Sequence, residues 1–309
     1  MMFTLLIACG APPDADVKTP GETAPVAEPA DPYALAADVS ADNLAATIAS
    51  LESFGTRYTG TAPAREVPAW LTVELEGAGL VAESVPFDFR GMDSANVIAR
   101  KDGVEEPEVV YVFSAHWDST SELPDDLAPG ADDNASGVAA VLEAARILAP
   151  VRTRYSVWFV LTGAEEQGAK GAQALVDQWG DADIRGVIAP DMIGYWPLGD
   201  GDAFDILGDE DSEALASEMA EVADTLGVAN KVWIDHSYCF GDDHTYFQEA
   251  GFPAITPMDC VEAHNGVGDE ESTPHYHQTS DTSDTVHIGF TTRVTQVIVA
   301  TLAGWASPV

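Results

Sequence analysis

Short apolar segments that stop abruptly at a histidine or an acid recur along this chain, with helical stretches between them. "PEVVYVFSAH" (107–116) is rich in β-branched and aromatic residues and reads as a buried strand ending at His116. "RYSVWFVLTG" (154–163) is a second, running into "AEEQGAKGA" with Glu165 and Glu166 side by side. "IRGVIAPDM" (184–192) is a third, closing on Asp191, and "FPAITPMD" (252–259) is a short fourth. Helix signals mark residues 40–55 behind a Ser/Asp cap, 66–80, 135–150 before Pro150, 168–180, 211–227 and 291–306. Such alternation predicts an α/β fold: a single globular domain with a mostly parallel, mixed central sheet and helices on both faces. No internal repeat is visible.

In open α/β sheets, ligands bind beyond the carboxyl ends of the strands. His116 and Asp118 ("SAHWDS"), Glu165 and Glu166, and Asp191 all fall there. Asp132 and Asp133 ("GADDNASG") precede the helix at 135–150, and "PHYHQTSDT" adds His275, His277 and Asp281. Each has a bland reading alone: a solvated pair, exposed loop histidines, or a helix N-cap in the case of Asp133. Together they are oxygen and nitrogen donors at one sheet edge. That set suits zinc or a similar divalent cation, two of them sharing a bridging carboxylate. One of the adjacent glutamates would then hold metal while the other is free to move protons.

Composition narrows the function. Asp plus Glu number 52 against 13 Lys plus Arg, a formal net charge of -39. Phosphate binding needs a basic surface, so nucleic acid is excluded as a partner. The acidic coat reads as solubility or as adaptation to high salt, which screens self-repulsion. The three cysteines, Cys9, Cys239 and Cys260, form no CxxC pair, which excludes a Cys-rich zinc site. Near the start, Leu6-Ile7-Ala8-Cys9 resembles a bacterial lipobox, although no Lys or Arg precedes it. The expected organisation is a lipoprotein signal segment (1–9), a Pro- and acid-rich linker (10–32) and a catalytic domain (33–309). The expected location is extracytoplasmic: periplasmic, at the cell surface through lipidated Cys9, or secreted. In such a compartment Cys239 and Cys260 are open either to pairing or to remaining free thiols.

The ordered series "AHWDS", "PGADDNASGVAAVLEAARIL", "TGAEEQGAKGA", "PDMIGY", "GDDHTYFQEAGFPAI" and "HQTSDT" resembles the secreted bacterial leucyl aminopeptidase family of two-zinc exopeptidases. The resemblance spans about residues 35–306. It implies His116 and Asp191 as terminal ligands of one zinc and Glu166 and His277 as those of the other. His275 stands as the alternative to His277. Asp133, rather than Asp132, would bridge the two and be followed by a cis peptide. Asp118 would orient His116, and Glu165 would be the general base. Tyr238, in "HSYCFGDDH", is the candidate for holding the tetrahedral intermediate, one place off the family's spacing and without its second cysteine. The implied activity is hydrolysis of the first peptide bond of peptides with a free N-terminus, by a monomer carrying two Zn2+ ions. The alternatives are a glutaminyl cyclase-like acyltransferase using one zinc and a non-catalytic binding ectodomain.

Overall fold

The computed structural model describes residues 28–180, 182–195, 203–235, 242–259 and 273–309. Cys9, Tyr238, Cys239, Cys260 and residues 10–27 of the expected linker lie outside the described residues. In chain order the elements are α1 (Pro32–Ala36), α2 (Ala41–Glu52), α3 (Val67–Gly77), β1 (Ala82–Phe89), β2 (Met92–Lys101), β3 (Glu106–His116), α4 (Ala135–Leu148) and β4 (Tyr155–Thr162). There follow α5 (Lys170–Trp179), β5 (Asp183–Ile188), β6 (Phe204–Gly208), α6 (Glu213–Leu226), β7 (Asn230–Ile234), α7 (Asp243–Glu249), β8 (Ala254–Met258) and α8 (Ile288–Ala306).

The strands form one eight-stranded sheet in the order β1-β2-β4-β3-β5-β8-β6-β7. Its middle, β4-β3-β5-β8, is parallel, as the apolar runs predict. The margins are not. β1 and β2 form an antiparallel hairpin laid along β4, and β6 runs antiparallel to β8. The sheet is therefore mixed to a greater degree than strand–helix alternation alone implies. A tight hairpin reverses the chain without any crossover helix.

Both faces of the central strands are buried, with alternate residues serving opposite layers. Phe113, Val157, Phe159 and Leu161 join a core with α2, α4 and α8, whereas Val110, Val112 and Val160 pack with Leu175, Trp179 and Phe247 of α5 and α7. Every residue of α4 except Arg146 is buried, so this helix packs into the core on nearly all sides. Parallel central strands all end at the same edge, and the loops leaving that edge carry the donor residues.

Candidate metal centre

His116 is the last residue of β3 and pairs in register with Thr162, the last residue of β4. The turn that follows β4 is tightly determined. Buried Asn96 accepts the Gly163 N–H (3.1 Å) and donates to the Gly171 carbonyl (3.0 Å), so one side chain brackets the loop carrying Glu165 and Glu166. A Cβ on Gly171 would sit 2.4 Å from the Gly163 carbonyl oxygen, so only glycine permits this approach. Within the loop, the Asp118 carboxylate accepts the N–H of Glu165 (2.9 Å) and of Glu166 (3.2 Å). Asp118 thus clamps the Glu165–Glu166 turn as well as neighbouring His116, whose Nδ1 lies 3.7 Å from the same carboxylate and 3.2 Å from the Asp118 carbonyl oxygen.

The entry to α4 settles which residue caps and which faces the site. Asn134 is the N-cap: its side chain accepts the Gly137 N–H (3.0 Å) and donates to the Pro190 carbonyl (2.9 Å). Capping therefore leaves Asp133 free to point elsewhere, and the Asp133–Asn134 peptide is cis. Asp132 turns toward the loop after β5, accepting the Gly194 N–H on Oδ1 at 2.6 Å. Ala164, Met192 and His277 all have positive φ, at 56°, 48° and 54°. All three lie within two residues of a triad residue, which is where a protein tolerates uncommon backbone geometry.

Two triads result, and they share one residue. His116 Nε2 lies 3.4 Å from Asp133 Oδ1 and 3.4 Å from Asp191 Oδ1. His277 Nε2 lies 3.3 Å from Asp133 Oδ2 and 3.1 Å from Glu166 Oε2. Asp133 presents a different oxygen to each triad. His275 is not part of either; its Nδ1 meets Ser280 Oγ at 2.9 Å. Donors about 2.0–2.2 Å from a tetrahedral zinc stand about 3.3–3.6 Å from one another. The histidine–carboxylate spacings of 3.1–3.4 Å lie at or just below those edges.

The electrostatics fit the same donor set. Burial would lower both histidines, but His116 is raised well above its ordinary value by Asp191, Asp118 and Asp133, and His277 is pushed up to about 10 by Asp133 and Glu166. Burial, then the Asp133 charge, raises Glu166 to about 8. Asp133 itself is held below the carboxylate range by His116 and His277, against the effect of burial. Glu166 Oε1 is buried with no hydrogen-bond partner among the described residues. The two triads set three carboxylates against two imidazoles, crowded and largely buried, a donor set that a bound cation would stabilise.

Glu165 belongs to neither triad but borders both. Burial pushes its carboxyl well above the ordinary range; Asp242, Glu166 and Asp243 push the same way, against His116. Beneath the site lies Arg57, fully buried. Its guanidinium donates to the carbonyls of Trp117 (2.7 Å), Pro129 (2.6 Å), Gly130 (2.8 Å) and Leu51 (3.3 Å). These contacts brace the segment between His116 and Asp133. Gly130 has φ +53°, and a Cβ there would lie 2.9 Å from Arg57 Nη2.

One aromatic residue beside the site escaped the sequence reading. The Tyr276 ring stacks on His277 with centroids 3.7 Å apart and planes at 24°. Burial around its phenol oxygen raises that group above its usual value, and Asp133, Glu166, Asp191 and Asp242 add to the rise. Its only signal in the sequence is adjacency to a ligand candidate.

Residues 96–302 match Peptidase family M28. The chain belongs to this family. A probable zinc metalloprotease of Leptosphaeria maculans is 32% identical over 329 aligned residues, covering 87% of this chain and 75% of that protein. This relative is fungal, so the likeness is not confined to the secreted bacterial enzymes that the motifs resemble. Among solved structures, the Legionella pneumophila LapA aminopeptidase superposes with a TM-score of 0.74 at 21% identity, covering 89% of this chain and 74% of that one. Porphyromonas gingivalis glutaminyl cyclase gives 0.70 at 23% identity, covering 86% and 99%. At these identities the structural matches establish a shared fold: one α/β domain on a mixed eight-stranded sheet. Membership of Peptidase family M28 makes the chain a peptidase by family.

Proposed function

We propose that this M28 peptidase is an aminopeptidase that binds two zinc ions, one in each triad, and hydrolyses the N-terminal peptide bond of its substrates. The observation that carries the reading is Asp133, whose two oxygens each face a separate histidine–carboxylate pair. His116, Asp191 and Asp133 would hold one ion, and His277, Glu166 and Asp133 the other. Zinc held there would act as a Lewis acid toward the scissile carbonyl and would lower the pKa of water so that hydroxide is supplied as nucleophile at neutral pH.

The chain's own groups do the rest. Glu165, raised in proton affinity and free of both triads, takes the proton from the attacking water. It then delivers that proton to the departing amine as the C–N bond breaks. Asp118 keeps the Glu165 carboxylate beside the triads by holding its backbone. The carboxyls of Glu165 and Asp242, close enough to interact electrostatically with the triads, suit a substrate with a cationic α-amine, in keeping with exopeptidase action. Tyr276, whose ring is packed on His277, is the candidate donor to the oxygen that gains charge during attack. Tyr276→Phe is expected to lower kcat by about 10²–10³-fold with little change in KM, the usual loss for one oxyanion donor. Steady-state kinetics check this, and an unchanged kcat refutes the role.

The decisive experiment is hydrolysis of leucine amide with and without a chelator. Activity should vanish on chelation and return with two equivalents of zinc per chain. Turnover that survives full metal removal would overturn the proposal. A glutamine-initiated peptide provides the second arm, in which cyclisation with ammonia release would instead support a cyclase. Two complete triads favour hydrolysis, since a cyclase of the single-zinc kind needs only one.

A further inference from the structure

We propose that Asp281 is a positioning residue for the carboxylate shared by the two triads: it fixes the backbone orientation in which Asp133 faces both at once. The inference rests on the two-metal reading above and goes beyond it.

Asp281 is 2% exposed and binds three consecutive amides. Its Oδ1 accepts the Asp132 N–H (2.9 Å), its Oδ2 accepts the Asp133 N–H (3.0 Å), and its main-chain carbonyl accepts the Ala131 N–H (3.2 Å). Adjacent buried N–H groups need acceptors, or each costs the desolvation of an unmade hydrogen bond. Only a carboxylate offers two equivalent acceptor oxygens at this size; an asparagine offers one, and its amide would present N–H to N–H.

Asp281 also lies four residues beyond His277 in the same loop. The loop that supplies a terminal ligand of one triad therefore holds the bridge by its main chain. Asp132 extends the link by accepting the Gly194 N–H at 2.6 Å, three residues after Asp191. The circuit closes where the Gly194 carbonyl accepts the His287 N–H at 2.7 Å. Asp281 thus ties the loops of His277, Asp133 and Asp191 into one unit. Because Asp133 serves both triads, a small rotation of its backbone would misplace donors for both ions together.

The test compares wild type with Asp281→Asn and Asp281→Ala. Zinc dissociation constants are measured by competition with a chromophoric chelator. Visible spectra of the cobalt(II) forms and thermal melts of the metal-free proteins accompany them. Asp281→Asn is expected to weaken zinc binding about 10–100-fold, the usual loss for a residue supporting a ligand, and to shift the cobalt bands. The metal-free melt should stay close to wild type, and Asp281→Ala should weaken binding at least as much. Zinc affinity of Asp281→Asn within twofold of wild type, with an unchanged cobalt spectrum, would overturn the proposal. So would an unfolded metal-free Asp281→Asn, because Asp281 would then serve the fold. If wild type itself binds no zinc, the two-metal reading fails instead.

Discussion

Glu165→Ala should lose about 10²–10⁴-fold in turnover, the typical worth of a positioned acid–base group, while retaining wild-type zinc content. Glu166→Ala should lose zinc as well as activity. Adjacent carboxylates of identical chemistry are assigned different work because only Glu166 reaches a triad, with Oε2 3.1 Å from His277 Nε2. The turn should survive both substitutions. Asp118 holds it through the backbone N–H groups of residues 165 and 166, which alanine keeps. Zinc per chain by elemental analysis, set beside kcat, separates the two roles. Equal zinc loss in both variants would remove the distinction.

The second large effect concerns stability. Arg57→Met is expected to cost about 3–5 kcal/mol, since several buried carbonyls lose charge-assisted hydrogen bonds worth about 1.5–3 kcal/mol each. The guanidinium is fully buried, and burial lowers its pKa only to about 10, with Asp281, Asp118, Asp133 and Glu166 opposing the fall, so it stays charged at neutral pH. Methionine fills the space but leaves the carbonyls of Trp117, Pro129, Gly130 and Leu51 without this donor. Arg57→Lys should not rescue, since a single ammonium cannot reproduce a planar fork that reaches acceptors on several sides. Urea unfolding measures the cost, and a midpoint shift worth less than about 1 kcal/mol would show that the loop is braced by other contacts. The sequence reading singled out no role for Arg57. Its neighbours "GT" and "YTG" mark a loop, and nothing local tells a solvated arginine from a buried brace.

Period and punctuation made the central strands legible. β3, β4 and β5 are nearly continuous apolar runs because they are buried on both faces, and α2, α4 and α8 carry caps or stops at their ends. β1 escaped notice because its sequence, "AESVPFDF", mixes acids and a proline into an edge strand that is only half covered. β6 and β7 are five residues each, too short for any period to show. β2 was missed as well, and the pairs β1–β2, β2–β4 and β6–β8 are the antiparallel ones that make the sheet mixed.

For the site, the sequence by itself determined the kinds of donor and the edge they occupy: imidazoles and carboxylates just past the ends of parallel strands. The split of that set into two triads sharing Asp133 was decided by tertiary structure. Asp132 and Asp133 are chemically identical neighbours. One turns to the Gly194 N–H and the other to two histidines because Asp281 grips their amides from 149 and 148 residues away. Likewise, Tyr276 gains meaning only once its ring lies on His277. Local sequence carries propensity and period, which are properties of near neighbours. The direction in which a carboxylate oxygen points is set by hydrogen bonds to residues far along the chain, and those exist only after the sheet has brought its loops to one edge.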